Sequence, residues 1–189
     1  WCDRVGSDFG QELAKVTEIA SDLPAAVRDL IGKPHYVEQT EFPIEIGYVY
    51  SMCAAVEDGN PLYWDPDTAR DITGGPITPP AMLSAWFKRH HWIPGASGDR
   101  KPMQLYFDIK DLVGLPEGIV ASNEVSFGEP VRIGDVLTTS QYCRSLGELK
   151  DTKLGRGRFC TVDVVTVNQR SEWCGTDTYN FLIYIKGVR

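Results

Sequence analysis

The sequence predicts a single α+β domain in which an antiparallel sheet wraps one helix. Two observations carry that expectation. The hydrophobic period is helical through most of the first half and switches to two beyond residue 119. The order of elements is helices, one strand, a central helix and then four strands, with no repeat, low-complexity run or linker between them.

Taken from the start, residues 8–20 place Phe9, Leu13, Val16 and Ile19 on one helical face. Ser21-Asp22 would cap a second short helix from Pro24 to Ile31, stopped by Gly32 and Pro34. Together residues 1–31 are expected to form an N-terminal helical segment, followed by one domain over residues 32–189. Residues 35–42 suggest a strand. From Pro43, the recurrence of Ile44, Tyr48, Met52 and Val56 predicts a helix of about three turns. Asp65-Pro66 would cap a helical turn over Thr68–Ile72. Pro79-Pro80 opens a helix expected to run to His90, the central helix of the domain. Residues 95–102 form a loop, and the local structure of residues 103–118 is left open. Ile119–Phe127, Val136–Leu146, Arg158–Asn168 and Thr178–Lys186 then read as strands, with glycines in the connections.

Composition narrows the function. At 189 residues, 42% hydrophobic and 24% charged, the chain can bury a substantial core. A net charge of −7, with no block of Lys and Arg, argues against a nucleic-acid partner. No apolar run approaches the ~20 residues of a membrane helix. The five scattered cysteines include no C-x-x-C pair, which fits reduced, buried thiols in a cytoplasmic protein and no metal site. The first residue is Trp1 rather than Met, so upstream residues are expected.

The chemistry concentrates in two stretches. Glu57-Asp58-Gly59-Asn60-Pro61-Leu62-Tyr63-Trp64-Asp65 gathers turn-forming and ionisable residues between apolar helical runs. Thr73-Gly74-Gly75-Pro76-Ile77-Thr78-Pro79-Pro80-Ala81-Met82-Leu83 opens directly onto a helix start, where unpaired N–H groups can hold a thioester oxygen. A carboxylate beside such a helix start is the smallest candidate site.

These two stretches, with Val125-Ser126-Phe127-Gly128-Glu129-Pro130-Val131-Arg132-Ile133-Gly134-Asp135, resemble the MaoC-like dehydratase/hydratase superfamily. The closer similarity is to its N-terminal, fatty-acid-synthase-like dehydratase subgroup, with motif order and spacing retained over about residues 32–187. The resemblance implies a hot-dog fold, dimerisation through the sheets, an acyl-CoA or acyl-carrier substrate and no cofactor. It implies reversible addition of water across a 2-enoyl thioester. Active members use an Asp followed five residues later by His, which position a water and exchange the C2 proton, while a helix-start N–H stabilises the enolate oxygen.

Carried onto this chain, the resemblance places Asp58 at the acid position, with Asn60 as its companion. Gly74, Gly75, Pro80, Ala81 and Met82 become candidate substrate-binding residues, Ala81 standing where the family has its oxyanion Gly. The catalytic His position is Tyr63, and a phenol of pKa ~10 is a poor base near neutrality. His90 and His91 lie ~15 Å along the predicted helix, a basic end that could also meet CoA phosphate. Two classes of function follow. The chain is one subunit of an enoyl-thioester hydratase whose hot-dog partner carries the complete Asp/His pair, or it is a non-enzymatic acyl-CoA-binding scaffold. A self-sufficient homodimeric hydratase using Asp58 is a third reading, and a thioesterase fits the motif order least. Asn168-Gln169 is either a ligand contact or the end of a strand, and the many aromatics near the central helix suit a wide or ring-bearing acyl group.

Overall fold

A computed structural model describes residues 16–87 and 103–187. The first half contains β1 (Glu18–Ile19), α1 (Ala25–Arg28), β2 (His35–Gln39), α2 (Ile46–Ala55), α3 (Pro61–Trp64) and α4 (Pro66–Thr73). A 3-10 helix (Pro80–Ala85) and α5 (Gln104–Leu112) follow. The second half contains β3 (Glu117–Phe127), β4 (Leu137–Leu146), β5 (Lys150–Thr152), β6 (Gly155–Asn168) and β7 (Trp173–Lys186). All seven strands join one sheet, in the order β1-β4-β6-β7-β3, with β2 also paired to β4 and β5 to β6. The ladders are antiparallel except β1 with β4, which is parallel. The sheet is therefore mixed, where the sequence led us to expect an antiparallel one.

The alternation read from β6 and β7 places the core. Cys160 and Val162 of β6 and Phe181 and Ile183 of β7 face one way and are buried against α5. From α5, Leu105 and Ile109 are both 0% exposed. Tyr106 stacks on Phe181 with ring centroids 4.0 Å apart. Gln141 of β4 closes the helix start, its Oε1 accepting the Leu105 N–H at 3.0 Å in place of a side chain within the helix. Gly118 lies where a Cβ would meet the Tyr106 hydroxyl at 1.7 Å, so strand and helix approach closely there.

Thus the helix buried against the centre of the sheet is α5, drawn from residues whose structure the sequence left open. The expected helix from Pro79 is a 3-10 helix over Pro80–Ala85, and residues 88–90 of that expectation lie outside the described residues. Pro79 and Pro80 bring no N–H to the first turn, and Met82 N–H closes it on Pro79 C=O at 2.9 Å. Two further expectations change at the N-terminal side. Residues 8–15 lie outside the described residues, and Glu18–Ile19, the end of that expected helix, is instead a strand on β4. Pro24, not Ser21-Asp22, is the N-cap of α1, and Asp22 accepts from Arg158 at 2.5 Å.

Helix α2 forms where predicted but turns a different face inward. Val49 and Cys53 are buried, whereas Tyr48 and Val56 are each 58% exposed. Its sequence carries no charge, so hydrophobic period alone leaves the buried face undetermined.

Candidate active site

The chain between α2 and the 3-10 helix is built by local hydrogen bonds. Asp58 Oδ1 accepts the Asn60 N–H at 3.0 Å, and Asn60 Oδ1 in turn accepts the Leu62 N–H at 3.1 Å as the N-cap of α3. The Trp64 indole N–H donates to the Asp58 carbonyl at 2.6 Å, and the Trp64 ring stacks on Tyr50 at 5.0 Å. Asp65 caps α4 by accepting from Asp67 N–H and the Thr68 hydroxyl, which hold its carboxyl below the usual carboxylate range. Gly74 ends α4 in the left-handed conformation at φ 74°, and Gly75 follows at φ 148°.

These turns bring Asp58 and Tyr63 together. Tyr63 is half-buried against Val49, Cys53 and Met82, so it sits between α2 and the 3-10 helix. Burial pushes its phenol pKa up, and the Asp58 charge pushes it further the same way. The ring therefore stays protonated and can donate a hydrogen bond but not take a proton. Among the described residues Asp58 Oδ2 accepts no hydrogen bond, which leaves one carboxylate oxygen for a ligand.

The other candidates fall into two groups. Gly74 and Gly75 spend their N–H groups on Arg70 and Ala69 carbonyls, and Asn60 spends its side chain on the cap. Met82 spends its N–H on Pro79, and its buried side chain joins the Tyr63 cluster. Ala81, exposed in the first turn, keeps an N–H with no acceptor among the described residues, beside exposed Pro80. Cys53, next to Tyr63, has its thiol pKa raised by burial and by Asp58, so it is no nucleophile.

A cavity of about 530 Å³ opens beside Met82. Phe42, Tyr48, Met52, Met82 and Trp86 give it an apolar lining, with the Tyr48 and Trp86 rings edge-to-face at 6.5 Å. Glu38, Glu41 and Glu45 also line it, and among the described residues no basic side chain does. Sequence reading named neither Phe42 nor Glu45 as a site residue and used Tyr48 only as a marker of the helical period. The lining comes from two stretches, residues 38–52 and 82–87, and no local pattern joins the two.

Elsewhere, Asn168 and Gln169 bond within the fold. Gln169 accepts from Val136 N–H and donates to Asp135, while Asn168 accepts from Arg170 and Glu172 N–H groups. The amide pair thus ties the β6–β7 turn to the start of β4. His90, His91 and their basic neighbours lie outside the described residues. Among the described residues no group of three His, Cys, Asp or Glu is placed to hold a metal ion, and no helix is long and apolar enough to cross a membrane.

A curled sheet around a buried helix is the hot-dog architecture of the MaoC-like hydratases and dehydratases. Within that superfamily the chain belongs to the family described as FAS1-like, dehydratase domain region, which it matches over residues 30–174. A curated relative from Thermomonospora curvata, a probable enoyl-CoA hydratase alpha subunit, is 27% identical over 167 residues. That match takes in 85% of this chain and 50% of the relative, so the chain spans half the relative's length. Among solved structures, the ChsH1-ChsH2 complex from Mycobacterium tuberculosis superposes with a TM-score of 0.71 at 19% identity, covering 97% of this chain and 95% of that one. A MaoC-like dehydratase gives 0.53 at 19% identity, covering 84% and 43%. At these identities the two structures bear on the fold alone.

Proposed function

We propose that this chain is a subunit of an enoyl-thioester hydratase, or 3-hydroxyacyl-thioester dehydratase, and that a hot-dog partner completes its catalytic pair. The single observation that carries the reading is the protonated Tyr63 phenol beside Asp58, where an active member has its base. One carboxylate remains to orient water or thioester, the Ala81 N–H faces the thioester oxygen, and the cavity beside Met82 takes the acyl group. In the hydration direction the water oxygen bonds C3 and a proton is delivered to C2, with the base supplied from outside this chain. CoA or a carrier protein is the thiol, no cofactor takes part, and the reaction runs in the cytoplasm.

The sheet supports a partner. Among the described residues strand β3 pairs with β7 on one side only, and nine of its eleven residues are exposed. It carries neither Lys nor Pro, the usual protection of an open edge. Val120 and Phe127 are 54% and 52% exposed on the face that α5 covers at β7. The relative's name as an alpha subunit, and the two-protein complex that shares the fold, agree with this reading.

The test is co-expression with a hot-dog protein carrying an intact Asp-x-Asn-Pro-x-His, followed by an enoyl-CoA hydration assay. The complex is expected to turn over at ordinary enzyme rates, about 1–10³ per second, and the chain alone at least ~10²-fold more slowly. A chain that reaches those rates alone, and loses them in Asp58→Asn, supports a self-sufficient homodimer instead. Acyl-CoA binding without hydration by either form would favour the scaffold reading.

A further inference from the structure

Among the described residues Arg132 is a half-buried cation without an acid. It lies between β3 and β4, and its guanidinium makes no hydrogen bond or ion pair with any described residue. Its backbone N–H donates to Asp135 Oδ2 at 2.8 Å, but that carboxylate is met by Arg170 at 3.2 Å and Gln169 at 2.9 Å. The Arg132 charge is therefore not spent on any described residue.

Its position links it to the candidate site. Ile77 and Arg132 form an antiparallel bridge, and Thr78 N–H donates to Val131 C=O at 2.9 Å, just before the 3-10 helix. Val131 packs with Ile44 and Leu83, and Ile133 packs against the buried cluster of Val49, Cys53 and Met82, as Tyr63 does. Between them the Arg132 side chain reaches the turn that ends α4. There Arg132 Nη1 stands 3.9 Å from where a Cβ on Gly75 would be, and Gly75 leaves that space open.

Resting on the thioester reading above, we propose that Arg132 binds a phosphate of the pantetheine-based carrier that delivers the acyl group. A guanidinium offers a planar fork that matches phosphate geometry, and partial burial weakens the competing water. A chain of net charge −7 attracts no phosphate by its overall field, so a local unpaired cation is what such a ligand requires. The substrate then has a direction. Its acyl group enters the apolar cavity, whose described lining offers phosphate no counter-charge, and its anionic end leaves past Gly75 towards Arg132.

The test measures binding rather than turnover, so its failure is separable from failure of the hydratase reading. Coenzyme A, 4′-phosphopantetheine and pantetheine are titrated calorimetrically into the full chain and its Arg132→Gln and Arg132→Lys variants. Arg132→Gln is expected to weaken coenzyme A about tenfold and to flatten its salt dependence, leaving pantetheine unchanged. Arg132→Lys is expected to recover part of the loss. An equal loss for 4′-phosphopantetheine assigns the contact to the phosphate common to CoA and carrier proteins, and a loss for coenzyme A alone assigns it to the nucleotide end. The proposal is overturned if wild-type chain does not bind coenzyme A, if Arg132→Gln binds it unchanged, or if pantetheine weakens equally.

Discussion

Replacing Tyr63 by His puts a titratable base at the position that the proposed function assigns to the missing catalytic His. A free phenol of pKa about 10 is roughly 0.1% ionised at pH 7. Burial and the Asp58 charge raise Tyr63 above that, so the fraction is an upper bound. An imidazole of pKa about 6.5 is about three-quarters neutral at the same pH, a gain in base occupancy of roughly 700-fold. General-base catalysis supplies about 10²–10⁴ in rate, so we expect Tyr63→His to raise kcat/KM of the chain without its partner about 10²-fold. That rise is about 2.7 kcal/mol of transition-state stabilisation. The assay is loss of enoyl-thioester absorbance with purified chain, after urea melts show that the variant folds. The control is Tyr63→Phe in the complex, which removes only a hydroxyl that holds no transferable charge and is expected to cost less than about threefold. A rise below about threefold in Tyr63→His, or collapse of activity in Tyr63→Phe, would refute the reasoning. The second result would make the phenol itself the acid.

Two predictions concern stability. Ile109→Ala empties a fully buried site between α5 and the sheet and should cost about 2–5 kcal/mol in urea unfolding. A cost under about 1 kcal/mol would mean that α5 is not the helix around which the core forms. The alkaline limb of stability should be steep. Burial pushes the Cys174 thiol to about 11 and, with the Asp177 charge, the Tyr179 phenol to about 12. Their folded values exceed the unfolded ones, so the folded state keeps protons that the unfolded chain releases. The stability they contribute is complete below about pH 8.5 and is lost as pH climbs through about 11 and 12. Cys174→Ala should flatten the first part of that fall, and an unchanged slope would show that the thiol does not contribute.

What the sequence determined by itself is local. Asn60-Pro61, Asp65-Pro66 and Gly74-Gly75 form the caps and turn their side chains and φ preferences dictate, because the bonds involved span only a few residues. The late strands form where alternation marks them, because one face of each meets α5 and the other does not. The motif order was enough to recognise the superfamily. Tertiary structure decided what depends on partners far along the chain. It selected Gln104–Leu112 as the buried helix, since the burial of Tyr106 needs Phe181 on β7. It chose the Val49–Cys53 face of α2, and it drew Glu18–Ile19 into a parallel pair with β4. It also gathered the cavity from two distant stretches and held Tyr63 protonated. Desolvation and neighbouring charge set that last property, and neither exists until the chain has packed.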